Sequence, residues 1–492
     1  MGADTLASGR GAGFLVAAVV VCLVGLAGRL AVGWTSPLWF DETFTATIAS
    51  QQTFGQWFDW CRTEIGGPLY YLLAWVWARI FGLDPTALRL LSLAASLGAP
   101  ALAWFRGHPD PRIRAWWAAM LLLWLPGFEM ASSARCYALL VLVLTGQAIA
   151  FRAAIDTCSR RDVAWWAGLS ALALLTHVYS AFLLAPQAIL FFAIHRARAL
   201  RLWWIGLVAL VPVVGWFALQ WQSLQNFASG GTWYPLVTGD DLLAAPVHFF
   251  WSATSAAAVI AVVVVIALAR IRRAERRLST SDIALIAAGV ASLALMLALG
   301  MVRSSFTWRY AAVSAPALLF GTAIAIEAAS RLWRLVPLAV IGLFTANAGV
   351  FAAMNWINPA RNFRAVFNLQ SPSEFIAPAR PQRLGFLWDN PAAKISHPVK
   401  TAEVVGYFLR RQGIEPEIVL FTLHPGQSPA ETMRRTIADK NLDAIIWMTD
   451  VDVPGAVGPL DEGALTTLGW RCRISGRPQF GVMGCYRPRA AR

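Results

Sequence analysis

The feature that most constrains this chain is a succession of apolar runs, each about 18–22 residues long, separated by short blocks rich in arginine. At 1.5 Å per residue, about 20 apolar residues in a helix cross a hydrocarbon core of about 30 Å. The chain is 58% hydrophobic and 14% charged over 492 residues, with a mean hydropathy of +0.55. A water-soluble fold of this length does not have that texture, so a polytopic helical membrane protein is expected. A net charge of +14 would suit a nucleic-acid partner, but the basic residues lie in the connections between apolar runs. There they orient the chain and meet anionic headgroups, so a lipid bilayer and no nucleic acid is expected.

The first run, Gly13 to Val32, is too long for a signal-peptide core and lacks a clear cleavage site, so it reads as a retained span. Later runs fall near 68–82, 87–105, 115–127, 137–151, 163–176, 180–194, 202–219, 246–269, 282–301, 309–326 and 335–353. Basic blocks at Arg106–Arg114, Arg152–Arg161, His195–Arg201, Arg270–Arg277 and Arg331–Arg334 should all be cytoplasmic. If 68–82 crossed the membrane, every one of these blocks would be inverted. If it lies along the outer interface, all fall inside together. Its length, about 15 residues, is also short for a crossing, and two tyrosines and two tryptophans suit an interfacial helix.

The expected architecture is therefore an all-α membrane domain over 1–354, with about 11 transmembrane helices and juxtamembrane helices in a first outer loop over 34–86. Asp41–Gln51 and Thr53–Arg62 read as short helices in that loop, and Pro68 suits the first turn of the reclining one. Charges of both signs return over 355–492, with Pro, Gly and Ser. Glu417–Thr422 and Asp443–Met448 read as strands, Glu403–Gln412 and Pro429–Lys440 as helices, and Arg471–Ile474 with Gly481–Tyr486 as a hairpin, which predicts a small soluble α/β domain outside the membrane. Cys472 and Cys485 pair there if the compartment is oxidising; otherwise they are two free thiols.

Adjacent carboxylates stand in Trp39-Phe40-Asp41-Glu42-Thr43, where the first span ends. One reading makes Asp41 a helix N-cap, with Glu42 complementing the helix dipole. The other starts from the aromatic company: a partly desolvated carboxylate is a better base near neutral pH. Neighbouring helical residues point about 100° apart, so one acid can do chemistry while the other orients it.

The Asp-Glu pair after the first span, the run Pro68-Leu69-Tyr70-Tyr71-Leu72-Leu73, then Ala87-Leu88-Arg89-Leu90-Leu91-Ser92, then Ala134-Arg135-Cys136-Tyr137 opening a span together resemble the GT-C superfamily of integral-membrane glycosyltransferases. The nearest kin look like its protein-mannosyltransferase and aminoarabinose-transferase-like members, and the resemblance covers roughly 13–355 in order and spacing. It implies transfer of a sugar from a polyprenyl-phosphate carrier to an envelope acceptor (lipid, glycan or protein), with inversion, on the periplasmic side of the inner membrane. It makes Asp41 and Glu42 the catalytic pair, Asp41 as general base and Glu42 in support. Family members often carry His-Pro-Pro or Lys-Pro-Pro before the Leu-Tyr-Tyr stretch. This chain has Gly66-Gly67-Pro68, so Glu64 or Arg62 is left to replace the missing polar contact.

A lipid phosphate leaving group calls for cations, arginine above all, at the outer face. Arg135 with Tyr137, and Arg309 with Tyr310, stand at outer ends of spans; they are either snorkelling belt residues or carrier contacts, and the resemblance favours the second. Arg303 is a further candidate, and Arg89 either braces the loop or acts directly. Tyr70, Glu64 and His177 complete the expected substrate-binding set, although a lone His177 also serves as a helix-end hydrogen bonder. Glu129 is a solvated acid or a substrate contact, and 230–235 an ordinary turn or a lid. No metal ligand set and no cofactor are expected. The competing classes are a transporter or flippase, whose ionisable residues would sit mid-membrane, and a non-catalytic envelope-assembly protein.

Overall fold

The computed structural model describes residues 3–34, 36–64, 66–230, 234–272, 278–333, 335–358, 363–389, 398–421, 428–450 and 459–488. Helix α1 (Ala3–Ala31) is followed by three helices of the first loop, α2 (Phe40–Ala49), α3 (Phe54–Cys61) and α4 (Pro68–Phe81), and then by α5 (Pro85–Arg106). Pro68 opens α4 where the missing N–H costs nothing. Tyr70, Tyr71, Ala74 and Ala78 form its buried stripe, while Val76, Ile80 and Phe81 stay exposed, as suits a helix lying on an apolar surface.

Further helices occupy each of the later apolar runs expected above, among them Pro111–Leu123, Tyr137–Thr157, Arg160–Thr176, Trp203–Gly230, Thr280–Val302, Ala315–Ser330 and Val336–Ile357. Among the described residues, six helices are long and apolar enough to cross a membrane, and three shorter apolar ones accompany them. Pro111–Leu123 and Arg160–Thr176 fall in neither group; the first carries Arg112 and Arg114 in its opening turn, and the second opens on Arg-Arg-Asp. A count of eleven crossings thus goes beyond what length and composition establish.

The connections sort to two ends. At one end, Arg152 pairs with Asp282 at 2.7 Å and donates to Gly107 O, His108 lies 3.6 Å from Asp282, and His195 bonds Ile155 O. Arg112 and Arg331 flank the buried Glu327 there. Four of the basic blocks therefore share one end, as the parity argument requires, and the first loop lies at the other. Residues 273–277 of the fifth block lie outside the described residues. Arg29, near the end of α1, donates to Leu121 O and Leu122 O, the carbonyls left open where the helix 111–123 stops at Trp124.

The C-terminal sheet has the order β2-β1-β3-β5-β4, with β1 (Arg383–Asp389), β2 (Glu417–Phe421), β3 (Ala444–Asp450), β4 (Arg471–Arg477) and β5 (Phe480–Tyr486). β1 runs parallel to β2 and β3, and β5 antiparallel to β3 and β4. Its two faces bury different residues with the strand period of two. Leu384, Phe386, Ile446 and Met448 face the helical body, whereas Leu387, Ile445, Trp447 and Met483 pack with Met433, Leu465 and Trp470. The expected strands and hairpin are present, and the helix expected over 403–412 falls as Pro398–Val405 and Tyr407–Arg410. β1 was not anticipated. Its centre is Gly385, where a Cβ would lie 2.7 Å from Leu442 Cδ1 and 3.0 Å from Phe421 Cε1. A glycine amid a short mixed run reads as a loop, yet here it lets neighbouring side chains close over the strand. Cys472 and Cys485 are cross-strand partners and form a disulfide.

Candidate active site

The first loop is fixed by a buried ion pair. Arg89, from the first turns of α5, reaches Glu42 with Nε at 3.1 Å and Nη2 at 2.7 Å, and both side chains are fully buried. The same guanidinium donates to Trp34 O, Ser36 O and Pro37 O, closing the turn between α1 and α2. Glu42 also accepts from Ala134 N at 2.6 Å and Trp39 N at 3.2 Å. Four donors thus fill its two oxygens. Burial alone would raise the Glu42 pKa; the charges of Arg89 and Arg364 and these hydrogen bonds overcome it and hold the carboxyl below its usual range. Glu42 does not line the cavity, and its acceptor positions are already taken. Its contacts instead hold the first loop in place, and Arg89 braces that loop.

Asp41 is placed differently. The helix begins at Phe40 with Trp39 as its cap residue, so Asp41 is not the N-cap. Its carboxylate, 29% exposed, accepts from Arg309 Nη1 at 3.0 Å, and its backbone carbonyl accepts from Arg135 Nη1 at 3.1 Å. It opens on a cavity of about 370 Å³ whose walls include Trp39, Trp251, Trp308, Tyr137 and Trp388, with Glu129, Arg309 and Arg364 among its polar groups.

Around the Asp41 backbone carbonyl, through Arg135, most of the remaining expected residues gather. Arg135 also donates to Tyr71 Oη at 3.2 Å, while its Nε is buried without a hydrogen-bond partner. Tyr310 packs against His177 at 5.1 Å, Tyr179 at 4.4 Å and Tyr137 at 6.4 Å, and shares a hydrogen bond with Tyr234. Glu64 is hydrogen-bonded to Tyr71; burial and the nearby Asp41 raise its pKa against the pull of Arg135. Tyr70 stands apart: it is 1% exposed and spends its hydroxyl on Ser92, in the packing of α4 against α5. Arg303 is not among the residues lining the cavity. Of the expected lid over 230–235, residues 231–233 lie outside the described residues.

The Gly66-Gly67 departure has a steric reason. A Cβ on Gly67 would sit 2.0 Å from Leu175 O, and one on Gly66 would sit 2.8 Å from the Tyr71 ring. The entry to α4 runs directly against the backbone that precedes His177, so no side chain fits at 67.

His177 Nδ1 accepts from Tyr179 N, and burial, with Arg135 and Arg309 nearby, pushes its pKa down to about 3. The ring is neutral at physiological pH and cannot serve as a cation for phosphate. Because its pKa is lower folded than unfolded, the unfolded chain binds the extra proton, and stability should fall as pH drops from about 6.5 towards 3. His177→Gln is expected to flatten that part of a pH series of unfolding temperatures; an unchanged series would show that the ring is charged in the native state.

Sequence reasoning missed the contribution of the C-terminal segment. Arg364, 1% exposed, donates to Ser132 O, Ser132 Oγ and Glu129 O and lies 3.5 Å from the Glu129 carboxylate. Trp39 bridges Asn368, and Phe40 N donates to Phe367 O, so this segment pairs with the backbone next to Asp41. Trp388 and Phe480 come from the sheet. The only sequence signal was an arginine soon after the last span. Lys400 to Asp59 at 2.7 Å and Glu403 to Trp60 dock the same region on α3. Among the described residues, no group of three or more His, Cys, Asp or Glu is arranged to hold a metal ion.

A helical body, a first loop with helices that carries an acid to one end, and a small α/β sheet closing over that acid make up a GT-C-like fold. Solved structures share it: ArnT from Cupriavidus metallidurans in the apo state superposes with a TM-score of 0.57 at 15% identity, over 97% of this chain and 98% of that one. ArnT bound to undecaprenyl phosphate gives 0.55 at 14% identity, over 96% and 98%. No protein-family model matches the sequence, and no curated protein does.

Proposed function

We propose that the protein is a membrane glycosyltransferase that moves a sugar from a polyprenyl-phosphate carrier to a hydroxyl of an envelope acceptor. The observation that carries this reading is the Asp41–Arg309 pair at the mouth of an aromatic-walled cavity, at the loop end of a fold shared with ArnT. The relative holding undecaprenyl phosphate supports a carrier lipid of the same kind here.

In this mechanism the acceptor oxygen attacks the anomeric carbon from the face opposite the carrier. The new C–O bond forms as the bond to the phosphate oxygen breaks, and the configuration inverts. The hydroxyl proton passes to the Asp41 carboxylate, and the carrier phosphate leaves with the electron pair of the broken bond. Arg309, and Arg135 with its unbonded Nε, supply positive charge for that phosphate. Tyr310 and His177 shape the carrier side, Tyr137 packs against both while lining the cavity, and Glu64 serves as a hydrogen-bonding acid beside them.

On this reading the chain crosses the bacterial inner membrane eleven times with the basic end cytoplasmic, and the site and the disulfide-bearing domain are periplasmic, in a compartment where a disulfide persists. A cysteine introduced at position 108 should then react only from the cytosolic side; labelling from outside would invert the assignment. The transporter reading gains nothing from the buried Arg152–Asp282 pair, which lies at the basic end rather than along a central path.

The direct test is to reconstitute the full chain in lipid nanodiscs with radiolabelled polyprenyl-phosphate sugars and an envelope extract. Label should appear in an acceptor with release of polyprenyl phosphate. If no carrier is consumed, and undecaprenyl phosphate does not bind by native mass spectrometry, the transferase reading fails.

A further inference from the structure

We infer that the cavity beside Asp41 is the acceptor subsite, that it takes a neutral sugar ring, and that Glu129 sets its specificity by accepting hydrogen bonds from ring hydroxyls. The inference rests on the transferase reading and adds the acceptor class to it.

Among the described residues the cavity has two guanidiniums, and both are committed. Arg309 is on Asp41 at 3.0 Å. Both terminal nitrogens of Arg364 are occupied by Ser132 and by the Glu129 backbone, and the group is 1% exposed. Each faces a carboxylate, so the lining carries two positive and two negative charges. An anionic ligand such as a phosphate monoester inside the cavity would meet Asp41 and Glu129, with Arg364 held by Ser132 and Glu129 and Arg309 shared between Asp41 and the carrier phosphate of the proposed mechanism. A further guanidinium, Arg135, is held on the Asp41 backbone carbonyl and Tyr71 and does not line the cavity.

What remains is a space of about 370 Å³, within the ordinary range for small-ligand sites. Its walls are chiefly indole and phenyl faces, broken by the Asp41 and Glu129 carboxylates, which can only accept, and by the Ser133, Thr307 and Tyr137 hydroxyls, which can do either. The Glu129 side chain is 26% exposed in this wall, and among the described residues its approach to Arg364 at 3.5 Å is its closest polar side-chain contact. A ligand that fits must present apolar faces to aromatic rings and donate hydrogen bonds from its rim. A pyranose ring does both: its C–H faces lie against rings such as Trp308 and Trp388, and its hydroxyls point outward. Once Glu129 is desolvated by such a ring, an analogue without the donor leaves the carboxylate unpaired and is rejected strongly.

The test is saturation-transfer NMR on the full chain in nanodiscs, with methyl β-D-glucopyranoside as probe and a serine tripeptide and inorganic phosphate as competitors. The glycoside should give a saturable signal from its ring protons that neither competitor displaces. Its apparent affinity should fall at least tenfold in Glu129→Leu, which keeps the backbone carbonyl that Arg364 uses. If that variant does not fold, Trp308→Ala should show the same loss. Absence of a saturable glycoside signal in the wild type, equal affinity in the variant, or displacement by the peptide or phosphate would each overturn the inference. Undecaprenyl phosphate binding, followed in parallel by native mass spectrometry, should not change in Glu129→Leu. Failure of the wild type to bind that lipid counts against the transferase reading instead.

Discussion

Replacing Asp41 with asparagine should lower sugar transfer by about 10²–10⁴-fold, the usual contribution of a positioned general base, and leave the protein folded. The substitution keeps the shape of the side chain and the backbone carbonyl that Arg135 holds. It removes the charge that takes the acceptor proton. Stability should move little, because the Asp41 carboxylate is 29% exposed and pairs with Arg309, itself packed near Trp39 and Tyr234. The loss should therefore appear in single-turnover rates with carrier saturating, while carrier binding persists. Arg309→Lys provides the complement: it keeps the charge, loses the planar fork, and should weaken the departure of the phosphate. An Asp41→Asn variant that transfers at the wild-type rate removes the carboxylate from the chemistry, whatever the status of the fold.

What could be read beforehand follows from where the physical constraints are local. Membrane helices announce themselves by length and apolarity, and the arginine blocks fix which connections share an end. That sufficed to expect a helix over 68–82, found at Pro68–Phe81, and to put Asp41, Arg135, His177 and Arg309 at one end. The roles of Asp41 and Glu42 were less legible, because neighbours in sequence diverge in space: one opens on the cavity, the other is enclosed by Arg89, Ala134 and Trp39. Tyr70 was drawn in by its neighbour Tyr71, although α4 turns Tyr70 towards Ser92 and Tyr71 towards Arg135. Arg364, Trp388 and Phe480 could not be found at all by pattern. They reach the site only through the docking of the sheet, a contact more than 300 residues from Asp41 along the chain. The same holds for Gly67, whose absent side chain matters only because Leu175 O lies against it.

Glu42 should respond in the opposite way to Asp41: its loss should unfold the protein rather than merely silence it. Glu42→Gln leaves the Arg89 charge buried without a counter-ion, and it turns an amide N–H₂ towards a site where all four partners are donors. Breaking one side of a fully buried pair costs about 3–5 kcal/mol, a large share of what holds most domains together. Arg89→Met should be comparably damaging, since it strands the carboxylate and frees the carbonyls of Trp34, Ser36 and Pro37. The double variant Glu42→Leu/Arg89→Met removes both charges and should recover part of the loss, so the coupling is read from a double-mutant cycle of thermal unfolding in nanodiscs. The pH dependence has a definite sign. With its folded pKa below the ordinary 4.5, the Glu42 carboxylate stabilises the protein above that pH, and the contribution fades as the pH falls through the lower folded value. Glu42→Gln should lack that acid-dependent component. A Glu42→Gln protein that folds and melts like the wild type would mean that the Arg89 pair does not hold the first loop, and the placement of Asp41 would then need another cause.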